Sequence, residues 1–190
     1  MAHLNGAIAD VGALLRKAFD LAAPITGAIE FTFIDWTFRT ANPDPLPPDG
    51  PLSRLQQFLA RASRRRYIPL NPDAHGVDDQ LYRAGFMDRI HRTHMLPLSM
   101  WSRDRCQLKI GEQMKVLFAY HPDPGYKCFL EDLCLDMLTT WLNMRPEEVD
   151  ALVAECAAYL WREENKIFVD LHTWTARRPY ALCCFHCLQY

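Results

Sequence analysis

Residues 29–38 read Ile-Glu-Phe-Thr-Phe-Ile-Asp-Trp-Thr-Phe, and their reading decides the fold. Ile29, Phe31 and Phe33 alternate with polar residues, and Ile34, Trp36 and Phe38 then alternate in the opposite phase. A two-residue period built from aromatic and β-branched side chains predicts a strand. The change of phase predicts a bulge near Phe33 and Ile34. Before this strand, Ile8, Val11, Leu15 and Phe19 recur at helical spacing across residues 5–20. After it, Pro43, Pro45, Pro47, Pro48 and Pro51 impose an extended loop, because proline fixes φ and removes a donor. That loop either separates residues 1–50, a helix–strand arm, from a main domain at 51–190, or crosses the surface of one continuous domain.

Further along, Leu52, Leu55, Phe58, Leu59 and Ala62 predict a helix over 52–65, and a loop follows from Pro69. Leu81, Phe86 and Ile90 predict a second helix over 78–93, with Asp78 as its N-cap. Pro97 interrupts what comes next. Leu108, Ile110, Val116, Phe118 and Tyr120 alternate around Gly111, which predicts a β-hairpin over 106–120.

Two amphipathic helices follow. The first carries Leu130, Leu133, Cys134, Met137, Leu138 and Trp141. The second opens on Pro146-Glu-Glu and carries Val149, Leu152, Val153, Cys156 and Leu160. Their short link predicts an antiparallel pair. Lys166 to His172 and Tyr180 to Cys187 read as two closing strands. The fold class expected is therefore α+β: an antiparallel sheet packed against helices, including an antiparallel helix pair near 129–161.

A formal net charge of −2 calls for neither nucleic acid nor an anionic membrane as partner. Arg61, Arg64, Arg65 and Arg66 suit the solvated C-terminal end of a helix. No apolar run reaches the length of a membrane span, and the first residues do not have the pattern of a secretory signal. The seven cysteines are then expected as thiols in a reducing intracellular compartment, cytoplasm or nucleus. Cys134 and Cys156, on apolar helical faces, are expected in the core. Glycine-rich phosphate loops and nucleophile elbows are missing from the sequence, and no cofactor is called for.

The segment Pro124-Gly-Tyr-Lys-Cys-Phe delivers Cys128 to the start of a helix, where partial positive charge favours thiolate. A histidine on a later strand, His172 or His186, would complete a dyad. Gly125, Tyr126, Cys128 and Phe129, with Lys127 as an extra residue, resemble the Gly-Tyr-Cys-aromatic motif of papain-like cysteine proteases of the viral leader type. The resemblance implies a viral hydrolase that cleaves itself at its own C-terminus, with Cys128 as nucleophile and His172 as base. Asp170 would share a strand face with His172.

Other residues support a second reading, a non-enzymatic protein that offers a surface to a protein or peptide partner. Trp101, Trp174 and Tyr190 fall outside the periodic runs and suit such a surface. Cys184 and Cys187 have the spacing of a zinc knuckle, which His91 and His94, with Cys106 beyond, could complete. No metal ligand is assigned on that basis, because on a strand Cys184 and Cys187 would face opposite ways. His121-Pro-Asp is read as a turn. Asp35 and Asp170 each lie inside an apolar strand, and nothing in the sequence pairs them.

Overall fold

The computed structural model describes residues 10–71, 73–118 and 129–179. Within them the order is α1 (Val11–Leu21), β1 (Ala28–Thr40), α2 (Pro51–Arg66), α3 (Ala74–Arg83), β2 (Met87–Pro97), α4 (Arg105–Phe118), α5 (Phe129–Leu142), α6 (Pro146–Leu160) and β3 (Ile167–Arg177). The three strands form one sheet in the order β1-β3-β2, with β3 antiparallel to both neighbours. This is the α+β architecture expected, with β1 in the same sheet as β2 and β3. Among the described residues no helix is long and apolar enough to cross a membrane.

β1 is apolar on both faces, and that double burial explains its change of phase. Phe31 and Phe33 meet Leu15 of α1, Val77 and Leu81 of α3, Phe86 and Trp174 in one cluster. Trp36 and Phe38 point the other way, into a larger core built from α2, α4, α5 and α6. Two ordinary alternating faces account for the sequence without a bulge at Phe33 and Ile34. The register does shift, but between Asp35 and Arg39, opposite Asp170 and Phe168.

The predicted hairpin over 106–120 is instead helix α4 as far as Phe118, with the residues beyond it outside the described set. Its buried residues, Gly111, Met114 and Phe118, are three and four positions apart, which is helical spacing. The Asp104 side chain accepts from the N–H groups of Cys106 and Gln107, at 3.0 and 2.9 Å, and so caps the helix start. Gly111 gives no turn. It lets the helix lie against the buried Ser99 backbone, where a Cβ would collide with the Ser99 carbonyl oxygen.

The predicted helix over 78–93 is also two elements. Asp73, not Asp78, caps α3, accepting from His75 and Gly76. The chain then passes Gly85 at φ 98°, which ends the helix, and β2 begins at Met87.

α5 and α6 pack as the sequence predicts, with Cys134 and Cys156 fully buried between them. Burial pushes the Cys156 thiol up to about 12. Arg64, Arg65 and Arg66 lie in the last turn of α2, where Arg65 donates to the Trp141 carbonyl at 2.8 Å. Trp174 is fully buried, and Trp101 donates its indole N–H to Ile167 O at 3.0 Å. The expectation that these two tryptophans form a partner surface is corrected accordingly: one is core and the other anchors to the sheet.

Replacing Gly111 with Ala should destabilise the fold by about 1–3 kcal/mol, since the added methyl has only backbone to displace. Urea denaturation would read this as a lower midpoint with an unchanged slope.

Candidate functional site

The sheet face that carries Phe31 and Phe33 becomes polar toward the other end of β1. Register places Asp35 opposite Asp170, Phe33 opposite His172, and His172 opposite Thr93 of β2. His91 of β2 stands opposite Trp174. Asp35, Asp170, His172 and His91 therefore gather on one face from all three strands. Sequence reasoning had foreseen only that Asp170 and His172 share a face.

Arg39 holds this group together. Its guanidinium lies 2.7 Å from Asp35 Oδ2 and 3.0 Å from Asp170 Oδ2. The register shift between Asp35 and Arg39 folds the strand so that these two side chains meet. Asp35 also accepts from the Thr37 hydroxyl at 2.6 Å and from the Thr37 N–H at 3.0 Å. Burial alone would raise the Asp35 pKa, but the bonds from Thr37 and Arg39 outweigh it and hold the carboxyl below its ordinary value. Ligand atoms of Asp35, Asp170 and His172 lie within 4.8 Å of one another. A cation there would compete with the guanidinium, which already bridges both carboxylates.

The two histidines form a second pair. His91 Nε2 and His172 Nδ1 are 2.9 Å apart, so one ring donates to the other, and Thr93 Oγ1 lies 3.3 Å from the same His172 nitrogen. The rings also stack. His91 lies flat on Trp174, with centroids 4.1 Å apart and planes 4° apart, and His172 stacks on Phe33 at 5.2 Å. Burial and the neighbouring His91 lower the His172 pKa, against the opposing pull of Asp35 and Asp170. His91 and Thr93 are exposed, so this face is open to solvent.

Cys128, Cys183, Cys184, His186, Cys187, Tyr190 and the His121-Pro-Asp segment lie outside the described residues. His172, the predicted base, lies centrally on β3 among the groups above. His91 and His94, offered as half of a zinc site, do not share a face. They stand opposite Trp174 and Leu171, residues on opposite sides of β3. Cys106 is exposed on α4. Arg39, Thr37 and Thr93 had no signal in the sequence, because their roles come from cross-strand register and the shift in β1.

The chain is similar to fungal proteins named for the regulation of secondary metabolism. It is 31% identical over 170 residues to secondary metabolism regulator LAE1 of Cochliobolus heterostrophus, covering 87% of this chain and 51% of the relative. It is 25% identical over 179 residues to LAE1 of Pyricularia oryzae, covering 93% and 51%. With laeA of Aspergillus flavus it is 23% identical over 141 residues, covering 72% and 36%. The chain spans about half the length, or less, of these curated relatives. No protein-family model matches it. No solved structure matches it significantly.

These similarities overturn the resemblance to viral leader proteases. They run along most of the chain, whereas that resemblance rested on a few residues around Cys128, and they lead to fungal regulators. The expectation of a papain-like cysteine protease, a viral hydrolase that cleaves its own C-terminus, is therefore corrected.

Two predictions follow from the geometry. Replacing Arg39 with Gln leaves Asp35 and Asp170 facing each other without their shared cation, and should cost roughly 2 kcal/mol at neutral pH. The like-charged pair would then take up protons more readily, so the deficit against the parent should shrink as pH falls, as read by denaturation at several pH values. His172 has a folded pKa below its unfolded value. Its contribution is therefore fully present above about pH 6.5 and is lost as pH falls from there toward the folded pKa. Thermal melts from pH 7.5 to 5 should show this loss, and His172→Gln should flatten it.

Proposed function

We propose that this chain is a regulatory protein of secondary metabolism that works by binding a protein or peptide, without catalysing a reaction. The similarity to LAE1 along 87% of the chain carries this reading. The site supports it. The charges of Asp35, Asp170 and Arg39 are spent on one another, and His91 and His172 on their mutual bond, so the cluster is organised to hold a shape. The exposed His91, Arg92, Thr93 and His94 of β2 offer donors and acceptors beside it. Buried thiols at Cys134 and Cys156 fit a reducing compartment, the cytoplasm or the nucleus.

Complementation tests the reading. Expressed in a Cochliobolus heterostrophus strain lacking LAE1, this chain should move secondary-metabolite output toward that of the parent strain. Unchanged output, with the protein present at the parental LAE1 level, would count against it.

A further inference from the structure

An open groove of about 770 Å³ runs along one side of α2. Ser53, Gln57, Ala60 and Arg64 recur every three or four positions and form its helix wall. The loops before and after α2 supply Pro48, Pro69 and Asn71, and the buried Trp36, Leu59 and Leu70 give it an apolar base. The second loop is fastened in place. Ser63 Oγ donates to Ile68 O at 2.7 Å and accepts from the Leu70 N–H at 3.0 Å. Asn71 accepts from the Trp36 N–H at 2.8 Å and donates to Thr37 Oγ1 at 3.2 Å. A groove held in this way lowers the cost of ordering on binding. Ser53 and Gln57 make no side-chain bond among the described residues, so their hydroxyl and amide are open to the backbone of a ligand. From Ser53 to Arg64 the helix rises about 16 Å, the length of about five residues of extended chain.

Charge selects the ligand. Among the described residues that line the groove, Arg64 is the only charged one. Arg61, Arg65 and Arg66 lie beside it at the same helix end. Arg61, Arg64 and Arg65 are exposed, and among the described residues none of the four arginines is ion-paired. A helix C-terminus carries about half a negative charge, so four guanidinium groups far exceed what this end requires. Arg65 directs one donor to the Trp141 carbonyl and Arg64 one to the Ala60 carbonyl at 3.2 Å, which leaves most of their donors free. Tyr67, the next residue in the chain, is 90% exposed. Tyrosine and arginine are the side chains that protein interfaces favour. A formal net charge of −2 for the whole chain disfavours a long polyanion, and a short acidic segment avoids that repulsion.

We infer that the groove along α2 seats an extended segment of a protein partner, about five residues long, whose acidic side chains meet the arginine end of the helix. This rests on the proposed function only in taking the partner to be a protein. Failed complementation would leave a measured peptide affinity standing, and a missing affinity would leave the complementation result standing.

The test is to select binders of the full chain from a displayed library of random short peptides, and to measure a recovered peptide by fluorescence anisotropy. Recovered peptides should be enriched in Asp and Glu. Joint Arg61→Glu and Arg64→Glu should weaken binding about tenfold or more. Ala60→Trp narrows the groove from an exposed position without changing charge, and should weaken binding as much. Lys109→Glu, on the exposed side of α4, should leave the affinity unchanged. All these positions are exposed, so the variants should keep the parental circular dichroism. Three results would overturn the inference. The recovered peptides show no acidic enrichment. Binding survives the charge reversal or Ala60→Trp, or falls equally with Lys109→Glu. Or a single-stranded oligonucleotide or a phosphatidylserine vesicle binds the same arginines more tightly than the peptide, making the partner something other than protein.

Discussion

β3 is hydrogen-bonded along both margins, to β1 on one side and β2 on the other, and it fixes the position of the candidate site. Alternate residues of a strand leave opposite faces, so one register decides which side chains meet. With Phe33 and Thr93 both opposite His172, the even-numbered residues of β3 from Asp170 to Trp174 all enter the site. A slip of one residue would send His172 into the apolar core and bring Val169 and Leu171 onto the polar face. The fully buried Ile167, Val169 and Trp174 make that slip costly, so the hydrophobic clusters on the two faces determine the arrangement of the polar site.

The polar group is also internally balanced. Two carboxylates on paired strands would repel each other at short range, and Arg39 relieves this only because β1 departs from regular pairing just before it. Trp36 and Phe38 leave the opposite face by ordinary alternation and pack into the larger cluster, so the strand serves the ion group on one face and the packing on the other. The stacked rings of Phe33, His172, Trp174 and His91 join the ion group to the apolar end of the face without a gap.

Much of the helical half was legible in the sequence. α2, α5 and α6 have long, unbroken apolar periodicity, and Pro51 and Pro146 mark two of their starts. β1 was legible because aromatic alternation is hard to mistake. α4 and β2 were misread for different reasons: the apolar residues of α4 fit a two-residue period as well as a helical one, and β2 has few apolar residues to set any period. In α4 the caps decide the matter, through Asp104, and in α3 and β2 Gly85 does. Both signals are weaker than hydrophobic alternation and were overridden by it. At the site, Asp35, Asp170 and His172 could each be noticed, but their meeting with Arg39 and His91 depends on which strands are neighbours and in what register. Residues 35 and 170 come together only because β3 lies between strands that precede it by long stretches of chain, and local sequence carries no record of that.

The separation of β1 from β3 also has a consequence for how the protein is made. Thr32 and Thr173, which share a cross-strand hydroxyl contact, are 141 residues apart in the chain. At ordinary ribosomal speed β1 is therefore complete on the order of ten seconds before its partner emerges. During that interval Phe31, Phe33, Trp36 and Phe38 have neither a strand to pair with nor the α5–α6 layer to cover them. The nascent chain thus displays an aromatic ribbon early and hides it late, and its yield in a cell should depend on chaperones that shield such segments during translation.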